Sequence, residues 1–157
     1  TIIAPHNIVE SEIKTLEKKT QSLSVRYSRI DQDLNNNKKI LIIDSVGSLK
    51  HLYKFSNIAY IGGAMGNSGL HNILEAAVFG IPIVIGKNYK GFSEAEDLVK
   101  LGGVKSINSE IEFKDIFNNL TSNKTVREKM GKINKDYIYS NSGGSKKIIK
   151  ALKKSLV

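Results

Sequence analysis

Between positions 62 and 75 the chain carries two adjacent glycines, Gly62 and Gly63, a third at Gly69, and then His71, Asn72 and Glu75. Each residue type suits part of one task. Glycines let a backbone approach a ligand closely, and the free N–H groups and dipole at a helix start favour negative charge. A carboxylate is poorly suited to holding phosphate but well suited to accepting hydrogen bonds from sugar hydroxyls. With a helix starting near Leu70, Glu75 lies one turn beyond His71 on the same face. Phosphate at the loop and ribose at Glu75 is a nucleotide-binding arrangement. Taken singly, the same residues have plainer readings: the loop as a turn, His71 as a helix-start residue, Glu75 as solvated surface.

What favours the joint reading is position. The apolar stretch Ile58-Ala59-Tyr60-Ile61 reads as a buried strand leading into the loop, and Ala76-Ala77-Val78-Phe79 follows it. Polar residues at the mouth of a parallel sheet are where open α/β folds bind ligands. Around this unit the chain alternates. Residues 1–5 read as a short strand ending at Pro5, then a helix capped by Asn7 runs to about Thr20, with Ile8, Ile13 and Leu16 as its apolar stripe. Strands are predicted over 22–27 and 39–43, separated by a polar loop at 31–38, with a helix after Gly47 to about Phe55. Strand 81–86 starts around Pro82, where a missing donor is tolerated. A helix over 94–101 stops at Gly102-Gly103, and 104–107 is a short edge strand. Helices follow over 110–120, capped by Asn108 or Ser109, over about 126–138, started by Asn123 or Thr125, and over 144–156. The last has Ile148, Ile149, Leu152 and Leu156 on one face. This alternation predicts a Rossmann-like parallel sheet with helices on both faces.

A length of 157 residues, 40% hydrophobic and 25% charged, suits one soluble globular domain spanning 1–157. No apolar run approaches the ~18 residues of a transmembrane helix. No signal peptide is visible, and a start at Thr1 on a strand-like segment is expected of a fragment of something longer. Without cysteine there is neither a disulfide framework nor a thiolate metal site, and His6, His51 and His71 lack metal-ligand spacing, so no metal is expected. The net charge of +9 has two readings. One is lysines solvating helix faces. The other is attraction to phosphates, of an anionic ligand or membrane, with a tail cluster at Lys146, Lys147, Lys150, Lys153 and Lys154. No module for sequence-specific nucleic-acid binding is recognisable.

In a doubly wound sheet the ligand site lies off the carboxyl ends of the strands. Four loops qualify: Pro5-His6-Asn7, Asp44-Ser45-Val46-Gly47, Gly62 to Asn72, and Gly86-Lys87-Asn88-Tyr89. They are rich in Gly, Asn, His and Ser, a composition for holding a polar ligand and not for attacking one. Glu94 and Glu96 follow the fourth loop and read as dipole compensation at a helix start.

The run Gly62-Gly63-x5-Gly69-x-His71-Asn72-x2-Glu75-Ala76-Ala77 resembles the donor-binding signature of the Kdo transferases, which move 3-deoxy-D-manno-octulosonic acid (Kdo) from CMP-Kdo to lipid A precursor. Pro5-His6, Asp44-x2-Gly47-x-Leu49 and Ile81-Pro82 leading to Gly86 match in the family's order, so the resemblance covers most of the chain. It implies one half of a two-domain GT-B glycosyltransferase, the C-terminal donor-binding domain, without the N-terminal acceptor domain. It also implies inverting, metal-independent chemistry with no cofactor, and a catalytic base in the absent domain, so that this chain alone binds the donor and transfers nothing. By the same resemblance Glu75 holds the ribose hydroxyls, Asn72 with Gly62, Gly63 and Gly69 faces phosphate and Kdo, and Asp44, Ser45 and Gly47 lie against the nucleotide. His6 stands where the family often has Pro-Arg-His. His71 is suited to donate to the leaving phosphate, with Lys87 assisting. Leu70-His71-Asn72-Ile73 replaces the common Gly-His-Asn-Pro, which implies altered loop geometry. Implied partners are CMP-Kdo, lipid A precursor through the other domain, and an anionic inner-membrane surface. Two other readings stay open: a nucleotide-sugar 2-epimerase domain of the UDP-GlcNAc type, and a non-catalytic basic domain binding RNA or an acidic partner.

Overall fold

The computed structural model describes residues 1–21, 23–31, 37–144, 148–149 and 151–152. It divides into two compact units, Thr1–Leu52 and Tyr53–Val157. Each carries a three-stranded parallel sheet. The α/β class predicted from the alternation is therefore observed, as parallel sheets with helices on both faces.

The first unit runs β1 (Ile2–Ile3), α1 (Glu10–Lys19), β2 (Ser24–Arg26), a 3-10 turn (Tyr27–Arg29), β3 (Ile40–Ile42) and α2 (Leu49–Leu52). Strand order is β1-β3-β2, with Leu41 facing both Ile2 and Val25 in register. Ile13 of α1 and Ile42 and Ile43 at the end of β3 are buried and form its core. Arg26 is only 6% exposed, yet it is fully engaged. Its guanidinium donates to Glu10 Oε2 at 2.7 Å and to both Glu17 oxygens at 2.8 Å. These forked, charge-assisted bonds tie two turns of α1 to the end of β2. Asn7 does not cap α1. The cap position is Val9, whose carbonyl accepts from the amides of Glu12 and Ile13, while Glu10 and Glu12 still face the helix dipole. Of the predicted polar loop, residues 32–36 lie outside the described residues.

The second unit runs a 3-10 turn (Tyr53–Phe55), β4 (Ala59–Ile61), α3 (Leu74–Ala77), β5 (Ile83–Gly86), α4 (Ser93–Leu101), β6 (Val104–Ile107), α5 (Glu110–Ser122) and α6 (Lys124–Asn141). Strand order β4-β5-β6 makes β6 an edge, as expected, and leaves β5 buried along its whole length. A strand covered on both faces reads as a continuous apolar run, and Ile83-Val84-Ile85 is one. Val84, Ile107, Leu120 and Met130 form a buried cluster, against which Phe113, Ile116 and Val126 pack. Two predicted caps are seen: Ser109 accepts from the Glu112 amide and Asn123 from the Val126 amide.

Helix α6 is anchored by Asn134, which is fully buried and donates to the carbonyls of Ile81 (2.7 Å) and Gly103 (3.0 Å). A Cβ on Gly131 would lie 1.9 Å from the Gly80 carbonyl oxygen, so glycine there allows the helix to touch the chain entering β5. Of the predicted C-terminal helix, Ile148, Ile149 and Leu152 are described and exposed, whereas Leu156 and the lysine cluster lie outside the described residues.

Candidate functional site

In the second unit β4 and β5 are parallel neighbours, so the segments that follow them leave from one edge of the sheet. The glycine loop after β4 is tightly closed. Gly63 has φ +93°, and a Cβ there would sit 1.9 Å from the Gly69 carbonyl oxygen. The two ends of the 63–69 segment therefore touch. The His71 amide donates to the Gly62 carbonyl at 3.2 Å and closes a second, wider turn. Inside the loop Ala64 is buried, while Met65, Gly66, Asn67 and Ser68 are exposed.

The segment after β5 braces this loop. A Cβ on Gly86 would come within 2.4 Å of Ala64 C and Met65 N, so the 64–65 peptide lies directly on the end of β5. Asn88 then bonds the loop twice, its amide to the Ala64 carbonyl at 2.8 Å and its side-chain Nδ2 to the Gly66 carbonyl at 2.9 Å. Phe92 completes the brace, its ring tip 3.6 Å from where a Cβ of Gly69 would be. Lys87 is exposed at the first position beyond β5.

The helix after the loop differs from expectation. It begins at Leu74, not near Leu70, and is four residues long. His71 and Asn72 thus belong to the loop, and the His71–Glu75 alignment along a helix face does not exist. The reason is local competition for the backbone. Asn72 Oδ1 accepts from the Leu74 amide at 3.0 Å, an Asx-type turn that supplants a helical start. The same side chain donates through Nδ2 to Glu75 Oε1 at 3.3 Å, so the pairing that orients Glu75 is with Asn72. So short a helix has little dipole, and any affinity for anions must rest on loop amides. Burial, and after it the negative charge of Glu75, raises the Tyr53 hydroxyl above its ordinary range. The Tyr53 ring also stacks on Phe79, 6.4 Å between centroids.

In the first unit β1 and β3 are likewise parallel neighbours. His6 follows β1 and is exposed. Asp44 accepts from the Ser28 amide at 3.0 Å and from the Ser28 hydroxyl. Burial, the largest influence, works to raise its carboxyl, but the Ser28 bonds and the Arg26 charge outweigh it and hold it below the usual carboxylate range. Ser45 and Ser48 share a hydroxyl–hydroxyl bond of 2.6 Å, and Gly47 turns the chain at φ +83°. Asp44 thus ties its turn to the 27–29 segment, and Ser45 braces the turn itself through Ser48. Among the described residues no group of three or more His, Asp or Glu side chains lies together as a metal would require. No helix among them is long and apolar enough to cross a membrane.

Gly86 and Asn88 fall in the fourth candidate loop but have no assigned role there, and Ser28 and Phe92 are not among the sequence candidates at all. The signal for the bracing role of Gly86, Asn88 and Phe92 is modest: a glycine closing a buried strand, then an amide and an aromatic before the next helix.

No family model matches the chain. Its sequence is 32% identical over 121 residues to the 3-deoxy-D-manno-octulosonic acid transferase of Haemophilus influenzae, covering 76% of this chain and 28% of that protein. With the transferase of the same name from Aquifex aeolicus it shares 31% over 131 residues, 73% of this chain and 36% of the relative. A probable mitochondrial one from Arabidopsis thaliana is 30% identical over 126 residues, 77% and 28%. The chain thus spans about a third of the length of these curated relatives. Among solved structures, the C-terminal CMP-Kdo binding domain of WaaA from Acinetobacter baumannii superposes with a TM-score of 0.73 at 23% identity, over 85% of this chain and 70% of that one.

Proposed function

We propose that this chain, which belongs by sequence to the Kdo transferase family and shares the fold of the C-terminal domain of one, is the donor-binding part of a glycosyltransferase that moves Kdo from CMP-Kdo to lipid A precursor. The observation that carries the reading is the braced loop of residues 62–69 followed by the Asn72–Glu75 pair. The loop supplies backbone amides for the phosphate, and Glu75, held by Asn72, accepts from the ribose hydroxyls. Neither group needs to move for this, which lowers the ordering cost of binding. His71 and Lys87 add positive charge or hydrogen-bond donors where negative charge grows on the departing CMP phosphate. In the first unit, taken by itself, the Asp44 carboxylate is engaged by Ser28, so the His6 and Asp44–Gly47 turns offer a ligand their backbone shape and not that carboxylate.

This chain's share of the reaction is then to hold the donor. The proton transfer that activates the acceptor, and contact with lipid A precursor, fall to the part of the relatives that this chain does not span. The basic surface favours attachment of the whole enzyme to the anionic cytoplasmic face of the bacterial inner membrane.

Calorimetric titration of CMP and UDP into wild type and Glu75→Ala tests the reading. CMP should bind in preference to UDP, and Glu75→Ala, which loses the charge-assisted hydrogen bonds accepted from the ribose hydroxyls, should weaken CMP by about tenfold or more. Tighter UDP binding would replace the reading with a nucleotide-sugar epimerase. Binding of oligonucleotides alone, steeply weakened by salt, would replace it with a basic nucleic-acid module.

A further inference from the structure

We propose that Asn88 is a positioning residue that turns the amides of Met65 and Asn67 outward to receive the donor phosphate; the assignment rests on the donor reading above. Asn88 takes two carbonyls of the glycine loop, Ala64 through its own amide and Gly66 through Nδ2. All peptide bonds here are trans. In a trans peptide the C=O and the following N–H point in opposite directions across one plane. Drawing the carbonyls of residues 64 and 66 toward Asn88 therefore directs the N–H groups of Met65 and Asn67 away from it. Two alternate amides on one side of a turn form a small anion-binding concavity.

Other features of the loop agree. Gly66 lacks a left-handed φ, and a Cβ there would meet nothing within 4 Å, so neither the turn nor packing within the chain requires glycine at this point. Its bare backbone leaves room for an incoming group. Burial does not set the loop's shape, because residues 65–68 are exposed. Stacking on Gly86 fixes the 64–65 peptide, but the 66–67 peptide depends on the Asn88 side chain. Of the two amides, Asn67 is thus the one that a change at Asn88 would release.

The test compares wild type, Asn88→Ala and Asn88→Asp, titrated with CMP and with cytidine and followed through backbone amide resonances. Asp has nearly the shape of Asn but presents an acceptor to the Gly66 carbonyl. In wild type the Met65 and Asn67 amides should shift with CMP and not with cytidine. Both variants should weaken CMP by about fivefold to tenfold, the equivalent of one lost hydrogen bond, and leave cytidine unchanged. A role confined to stability would not separate the two ligands. If CMP and cytidine weaken alike, or CMP is unaffected, the assignment fails. If wild type binds neither, the donor reading itself fails, and titration with inorganic phosphate decides the assignment. Shifts at Met65 and Asn67 of which that at Asn67 disappears in Asn88→Ala would keep it, and the absence of both in wild type would end it.

Discussion

The two adjacent glycines at the mouth of β4 should behave oppositely when each is given a methyl group. Gly63 has φ +93°, and its Cβ would fall 1.9 Å from the Gly69 carbonyl oxygen. The left-handed backbone alone costs an L-residue about 1–2 kcal/mol, and separating two backbone segments that touch brings the expected loss in Gly63→Ala to about 2–4 kcal/mol. Gly62 lies next to it without a left-handed φ, and its Cβ would meet nothing within 4 Å. Alanine there restricts the unfolded chain without straining the folded one, and stability should rise by about 0.4–1 kcal/mol. Urea unfolding at constant m-value reads both as shifts of the midpoint in opposite directions. The open space over Gly62 is also where the proposed reading puts the donor. Gly62→Ala should therefore weaken CMP about tenfold or more while the midpoint holds or rises, because a methyl group occupies ligand space. A fall in both midpoints alike would refute the division into a structural and a ligand-facing glycine. Unchanged CMP binding in Gly62→Ala would remove Gly62 from the site.

Further outcomes follow from the buried polar contacts. Asn134→Ala strips the donor from the buried carbonyls of Ile81 and Gly103 and should lower stability by about 2–4 kcal/mol in thermal or urea unfolding. Gly86→Ala drives a Cβ into the 64–65 peptide and should weaken CMP binding as well as stability, since the loop must lift from β5. The first unit should be sensitive to acid. The bonds from Arg26 hold the Glu17 carboxyl below its ordinary value of 4.5 despite the opposing effect of burial. Stability from this pair is thus complete above that value and is lost as pH falls through the lower folded-state value. Glu17→Gln should be less stable at neutral pH than wild type, with a smaller further loss in acid, as measured by circular dichroism melts across that range.

The stretches legible in advance were those whose structure is local. β6 at Val104–Ile107 is legible to the residue, and the caps Ser109 and Asn123 lie where a polar side chain precedes an amphipathic run. Buried β5 announced itself as Ile83-Val84-Ile85. The misread element was the start of α3. A helix start near Leu70 overlooks that an asparagine can trade helix bonds for a turn of its own, as Asn72 does. Asn7 likewise does not cap its helix, because where the chain leaves a strand the entry angle of the next helix is set by packing.

The α/β class, the parallel pairing implied by alternating elements, and a polar stretch of Gly, His, Asn and Glu after a buried strand can all be read from the amino-acid order. These follow from periodicity and from what each residue type can do alone, and both are properties of short windows of chain. Which groups hold that loop, and which hold α6, is set by packing between distant segments. Asn88 lies 22 residues beyond the Gly66 carbonyl it binds, and Asn134 lies 53 residues beyond that of Ile81. Nothing in the spacing of either residue marks its partner, because the chain between them is consumed by strands and helices whose packing sets the distance. Likewise both Gly62 and Gly63 appear in the sequence as the same permissive residue. Their separate roles emerge only when the Gly69 carbonyl comes to rest against one of them and not the other.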